Sequence, residues 1–357
     1  MSKPVLELID VSRSFAGGAV RAVDGVSLEV YPGEIVSLLG PSGCGKTTTM
    51  RMIAGLDHPS AGDIRVLGKS VIGIPPHRRN IGLVFQSLAA FPHMSVRENV
   101  AFGLRMQRVP RPAIDQRVDK MLELVQLPPA EFATRYPKEL SGGQLQRVAL
   151  ARTLVTEPAV VLFDEPMAAL DRRLRDYMAI ELRAIQKRLG FAAIYVTHDQ
   201  ETASAMSDRL AIMRAGRIVQ VGAPVAVYQS PASQFVADFL GDANFLVPQS
   251  VDDGGDGHSI VRVLDMVLKV SGEGRAGRGQ PIVMCRPEHV TLSTRPVDGA
   301  VMGALIASQF KSGAHRWQIA LPDGQQIVAQ STHDLGAPQD HKVWLTIQAE
   351  HARLLQQ

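Results

Sequence analysis

Eight consecutive residues carry the clearest chemistry in this chain: Gly40-Pro41-Ser42-Gly43-Cys44-Gly45-Lys46-Thr47. They are a full match to the phosphate-loop pattern G-x-x-x-x-G-K-[ST]. Glycines at its two fixed positions let backbone amides converge on phosphate oxygens. The following TTTMRMIAG reads as a helix, whose N-terminus adds the positive end of its dipole. Lys46 then offers a point charge to β- and γ-phosphates, and the Thr47 hydroxyl a ligand for Mg²⁺. An ordinary glycine-rich strand-to-helix turn is the plain alternative, but it must account for all eight positions. Cys44 reads as a small filler within the loop.

Three further segments offer polar groups at strand or helix ends. Val160-Val161-Leu162-Phe163 runs into Asp164-Glu165-Pro166, a buried strand delivering two acids at its C-terminal edge, where doubly wound sheets bind ligands. Asp164 suits support of Mg²⁺, and Glu165 suits a base that orients water against a γ-phosphate. Caps for the next helix are the other reading of the pair. Leu140-Ser141-Gly142-Gly143-Gln144 opens a helix and makes either a second anion nest or a plain N-cap. One domain has no need of two such helix starts unless a second copy uses one. His198, in YVTHD, stands at a strand end where it can reach a γ-phosphate, or it is a surface histidine.

These residues need a sheet to position them. Apolar runs at 35–39, 160–163 and 194–197 read as strands covered on both faces. Helices are expected at 47–54, 174–189 (closed by Gly190) and 200–206. Residues 92–152 read mostly as helix interrupted by Pro128, Pro129 and Pro137, so about 88–155 is expected to be a helical insertion. The pattern is α/β with a largely parallel sheet up to about residue 240. Beyond residue 242 it turns to short alternating strands, with flexible clusters at 252–257 and 272–279. Residues 316–328 form a hairpin, in which Trp317, Ile319 and Leu321 alternate before Pro322-Asp323-Gly324 turns the chain.

Composition sets outer limits. The 357 residues suffice for about two domains, and 45% hydrophobic with 20% charged residues excludes wholesale disorder, collagen and coiled coil. No apolar run approaches the ~18 residues of a membrane span, and the first ten residues lack a signal peptide's pattern, so the chain is expected neither inserted nor exported. Two cysteines make no disulfide framework and fit a reducing compartment. The net charge is +3, with 28 basic against 23 acidic residues up to 240 and 10 against 12 after it. Neither part looks like a dedicated nucleic-acid binder.

Taken together, the motifs resemble the ATP-binding subunit of an ABC (ATP-binding cassette) transporter over residues 5 to about 240. The Walker A segment is GPSGCGKT, Walker B is VVLFD, the signature is LSGGQ, and the switch histidine lies in VTHD. Phe15 stands where the family stacks an aromatic on adenine, Gln86 in GLVFQS matches the Q-loop glutamine, and Asp171 in AALD the D-loop aspartate. FPHMSVRENVAFGL and CRPEHV resemble importers whose cassette carries a C-terminal TOBE domain, as in maltose, polyamine and ferric-iron transporters. The junction FVADFLGDANFL looks closer to the polyamine, iron, thiamine and phosphonate branch than to sugar-type subunits. Three positions depart from the family pattern: Ala168 replaces a D-loop serine, and Leu88 and Ala90 replace residues often Tyr and Leu.

The resemblance implies a P-loop ATPase cassette, a mostly parallel sheet with a helical subdomain, over residues 1–240. A small all-β, OB-like TOBE domain follows over 241–357. It implies ATP and Mg²⁺. Contacts to nucleotide would come from Phe15, Gly40 through Thr47, Thr48, and, across a head-to-tail homodimer, Ser141, Gly142, Gly143, Gln144 and Asp171. Thr47, Gln86 and Asp164 would face the metal, while Glu165, His198, Lys46 and Gln86 would serve hydrolysis. Two transmembrane permease subunits would be met through about 86–97, with an external solute-binding protein acting indirectly. The location would be peripheral, on the cytoplasmic face of the inner membrane. A sugar or glycerol-phosphate importer ATPase, and a non-transport ABC ATPase acting on nucleic acid or ribosomes, are the competing readings. An OB-like nucleic-acid module is disfavoured by the acidic balance after residue 240 and by only two tryptophans, Trp317 and Trp344.

Overall fold

The computed structural model describes residues 3–15, 20–85, 90–167, 171–271, 279–336 and 339–356. They form two compact units, Met1–Val225 and Ala226–Gln357.

In the first unit, β1 (Leu6–Phe15), β2 (Val20–Val30), β3 (Ile35–Leu39) and α1 (Lys46–Ala54) are followed by β4 (Ala61–Val66), β5 (Lys69–Ser70) and β6 (Ile81–Val84). The helical insertion is α2 (Val96–Met106), α3 (Arg111–Leu124), α4 (Pro129–Phe132) and α5 (Gly142–Leu154). The chain then returns through β7 (Val160–Asp164), α6 (Arg172–Leu189), β8 (Ala192–Val196), α7 (Gln200–Met206), β9 (Arg209–Arg214) and β10 (Arg217–Gly222).

One sheet runs β10-β9-β3-β8-β7-β6 and is parallel except at β10. The other is antiparallel, in the order β2-β1-β4-β5. The apolar runs of the parallel strands follow from burial on both faces. Along β7, Val161 and Phe163 join the core under the insertion helices, while Val160 and Leu162 join the core shared with α1 and the antiparallel sheet. Tyr195 and Ala193 of β8 take the first side, Ile194 and Val196 the second. Helices α1 and α5 therefore lie on opposite faces of one sheet. Gly190 ends α6 in the left-handed region at φ 68°, as its position after the periodic residues predicts.

In the second unit, the two short helices α8 (Pro224–Gln229, which crosses the division) and α9 (Gln234–Phe239) precede eleven strands among the described residues. These are β11 (Asn244–Leu246), β12 (Ser250–Gly255), β13 (His258–Val263), β14 (Met266–Ser271), β15 (Pro281–Cys285), β16 (Val290–Ser293), β17 (Val301–Lys311), β18 (Ala314–Ala320), β19 (Gln326–Ser331), β20 (Lys342–Ile347) and β21 (Arg353–Gln356). They make two sheets, β11-β15-β21-β14-β13-β12 and β16-β20-β17-β18-β19, over one core. The expected hairpin is β18–β19, with Trp317 opposite Ala329 and Ile319 opposite Ile327. Residues 252–257 form the end of β12 and the turn into β13. Residues 272–278 of the other cluster lie outside the described residues.

The units divide ahead of the change in patterning at residue 240, and Arg286 is the physical reason. This buried guanidinium donates to the carbonyls of Tyr228, Ala237, Gly241 and Asp242, and its centre lies 4.0 Å from the centroid of the Tyr228 ring. Both helical turns are thereby held to the strands that follow them.

Candidate functional site

Strands β3, β8 and β7 are neighbours and parallel, so the segments that leave their C-terminal ends share one edge of the sheet. Gly40 follows β3, His198 follows β8, and Asp164 with Glu165 closes β7. The sequence spaces these groups more than 150 residues apart, from Gly40 to His198; strand order alone makes them neighbours. The carboxylates and the histidine therefore share with the phosphate loop the sheet edge at which open α/β sheets bind ligands.

The loop's glycines are required by close approach. A Cβ on Gly40 would lie 2.3 Å from the Met213 carbonyl oxygen, and one on Gly45 2.4 Å from that of Ala22. Gly45 also adopts φ 108° as it enters α1. Lys46 is buried, and its Nζ donates to the Gly40 and Pro41 carbonyls at 2.7 and 3.1 Å, drawing the loop around the ammonium. Cys44 is buried and free, consistent with a filler. Thr47 and Ser42 are exposed at the mouth, and Thr48 is half-buried.

Glu165 has a left-handed backbone, φ 45°, and its N–H donates to Val196 O of β8 at 3.0 Å. For a glutamate that conformation costs about 1–2 kcal/mol, and here it accompanies a side chain turned to His198. Glu165 Oε1 lies 3.1 Å from His198 Nδ1. An ionised carboxylate only accepts, so Nδ1 carries the proton of that bond. Asp164 is half-buried; burial, then the neighbouring Glu165 charge, pushes its carboxyl above the ordinary range, against a weaker opposing field from Arg51. The Asp164 carboxyl has no hydrogen-bond or ion-pair partner among the described residues. A half-buried carboxylate with no such partner is a hard oxygen donor of the kind that suits Mg²⁺, and the Thr47 hydroxyl is another donor of that class.

Ser141 caps α5 in a reciprocal box: its Oγ accepts from Gln144 N, and Gln144 Oε1 accepts from Ser141 N at 2.9 Å. Gly142 and Gly143 open the helix, with free space where a side chain of Gly142 would stand. The fold does not bring this motif to Lys46, since α5 and α1 belong to opposite cores. Asp171 caps α6 by accepting from Leu174 N at 2.9 Å. Phe15 ends β1, exposed, with the Arg13 guanidinium 4.6 Å from its ring centre. Gln86, Leu88 and Ala168 lie outside the described residues.

Two positioning residues escaped the sequence reading because their partners are backbone atoms. Asn99, buried in α2, donates to the carbonyls of Phe91, Met94 and Ser95 and accepts from Phe91 N, folding residues 91–95 onto the insertion. Arg79, also buried, donates to the carbonyls of Met52 and Ile53 at the C-terminal end of α1.

Residues 23–168 match the ABC transporter family. Over 99% of its length the chain is 43% identical to the spermidine/putrescine import ATP-binding protein PotA of Thermobifida fusca, covering 94% of that protein. It belongs to the ATP-binding subunits of ABC importers. The Fe(3+) ions import ATP-binding protein FbpC 1 of Rhizobium meliloti is 49% identical over 88% of the chain and 91% of its own length. The solved structure of cbiO1 from Clostridium perfringens, part of the ABC transporter complex cbiONQ, matches 64% of the chain and 92% of its own, at TM-score 0.58 and 30% identity. As a member of this family, the importer subunit binds and hydrolyses ATP to power uptake and works with membrane permease partners. None of its described helices is long and apolar enough to cross a membrane.

Proposed function

We propose that two copies of this subunit dock head to tail and close on ATP, each phosphate loop facing the other copy's signature, and that the cycle drives import of a polyamine or ferric iron. The observation that supports the dimer is the placement of α1 and α5 on opposite faces of one sheet, which leaves the glycine-rich helix start at Ser141 away from its own chain's phosphate loop. The cargo class is supported by relatives named for spermidine/putrescine and for Fe(3+) ions.

In this reading ATP binds the closed pair better than the open one and shifts that equilibrium. Lys46 and the loop amides hold the β- and γ-phosphates, and Phe15 stacks on the adenine. Glu165 orients the attacking water and takes its proton. His198 donates through Nδ1 to Glu165; to donate also to the γ-phosphate through Nε2 it must carry both protons. When bound, Mg²⁺ neutralises charge on the phosphate oxygens, and Thr47, Asp164 and Gln86 would hold it. Segment 86–97 passes closure to the permease, with Asn99 keeping its second half rigid. The subunit works at the cytoplasmic face of the inner membrane, its C-terminal strands forming the TOBE domain.

Glu165→Gln tests the assignment. It should retain ATP binding, lower turnover by about 10²–10⁴-fold, and accumulate an ATP-bound dimer visible by analytical ultracentrifugation. Hydrolysis at the wild-type rate would sink it. Cargo is tested by ATPase stimulation of the reconstituted transporter with spermidine, putrescine or ferric iron.

A further inference from the structure

A cavity of about 430 Å³ lies in the first unit, lined by residues that none of the roles above uses. Its volume is that of a small-ligand site. Helix α3 supplies Arg117, Lys120, Met121 and Leu124; the end of α5 supplies Leu154; the turn before β8 supplies Phe191. Met121, Leu154 and Phe191 are buried, giving an apolar wall. The polar rim is unequal. Arg117 donates to Val155 O at 2.9 Å and pairs with Glu157 at 3.0 Å. Lys120 is exposed and has no hydrogen-bond or ion-pair partner among the described residues.

We propose that this cavity binds a small amphipathic monoanion, its carboxylate met by Lys120 and its alkyl tail lying on Met121, Leu124, Leu154 and Phe191. Two cations against one acid leave a single uncompensated positive charge at the rim. Glu157 repels a second negative charge, so the site favours a monoanion over a dianion. The apolar wall selects a hydrocarbon tail over a sugar or nucleotide. The placement matters because α3 and α5 belong to the insertion that carries Ser141, whereas Phe191 leads into the sheet. A molecule seated between them fixes the insertion against the sheet and so changes ATP turnover. That consequence rests on the proposed function, whereas the binding does not.

The test uses the full chain without nucleotide, titrated calorimetrically with sodium octanoate, with 1-octanol as the neutral comparator. Octanoate should bind saturably at one site, and octanol at least tenfold more weakly. Lys120→Glu should weaken octanoate at least tenfold, and Leu124→Trp, which fills the cavity, should abolish binding. Both variants should keep wild-type ATP affinity, showing that the fold survives. Heats that never saturate, octanol binding equal to octanoate, or octanoate binding that survives either substitution overturns the proposal. Separate measurement of Glu165→Gln turnover distinguishes this failure from failure of the ATPase reading.

Discussion

Replacing the buried Arg79 with methionine should destabilise the nucleotide-binding unit, and the structure permits the magnitude to be worked. Arg79 is 2% exposed. Its Nε donates to Ile74 O at 2.7 Å, and Nη1 donates to Met52 O and Ile53 O at 2.7 and 3.0 Å. Nη2 is buried without a partner, and burial lowers the pKa of the guanidinium. The stabilising field is therefore the negative end of the α1 dipole together with three carbonyls, with no acidic residue among its hydrogen-bond partners.

Arg79→Met strands the Ile53 and Ile74 carbonyls at about 1–3 kcal/mol each, whereas Met52 O keeps the Gly55 N–H at 3.2 Å, and relief of the buried cation's desolvation offsets part of that. A net loss of about 2–4 kcal/mol is expected. Gly55 supplies an internal check. A Cβ there would lie 2.4 Å from Arg79 Nε, at φ 81°. Gly55→Ala therefore strains the backbone and displaces the guanidinium, but only the first effect survives in the Arg79→Met background. A double-mutant cycle should give a coupling of about 0.5–3 kcal/mol. The assay is urea unfolding followed by circular dichroism on the full chain, taking the transition that ATP shifts as that of the first unit. Stability of Arg79→Met within about 0.5 kcal/mol of wild type, the range of an ordinary surface change, or strict additivity with Gly55→Ala, would refute the reasoning.

Other expectations follow from single sites. Lys46→Ala should weaken ATP binding itself, read by titration with a fluorescent ATP analogue; unchanged affinity would refute the phosphate-clamp role. Burial alone would raise the Asp208 carboxyl, but hydrogen bonds from Arg183 and from Ile35 N hold it below the ordinary carboxylate range. Its contribution is thus complete above that ordinary range and is lost as pH falls through the depressed value. The gap between wild type and Asp208→Asn, about 1–3 kcal/mol at pH 7, should close in acid, and a gap that widens there would contradict the sign. Burial pushes the Cys285 thiol up to about 12, so iodoacetamide at pH 8 should label it only after unfolding; mass spectrometry showing rapid labelling of native protein would count against that burial.

What could be read in advance divides along a physical line. The ends of β3 and α7 coincide with the residues expected, because apolar runs and capping residues are properties of side chains. The phosphate loop was legible for the same reason: glycine is the residue type that tolerates carbonyls at 2.3 and 2.4 Å. Arg79, Asn99 and Arg286 were not legible, since each spends its donors on backbone carbonyls, which every residue carries and no pattern marks. The left-handed Glu165 was hidden too, because its conformation is linked to an N–H bond to Val196 on another strand. The separation of the two glycine-rich helix starts needed sheet order as well as motif. Alternation along β7 says that it has two faces, but only the assembled strands say that α1 covers one and α5 the other. That is the step on which the proposed second copy depends: were α5 packed on the face that holds α1, the proposal that Ser141 serves another chain's nucleotide would lose its argument.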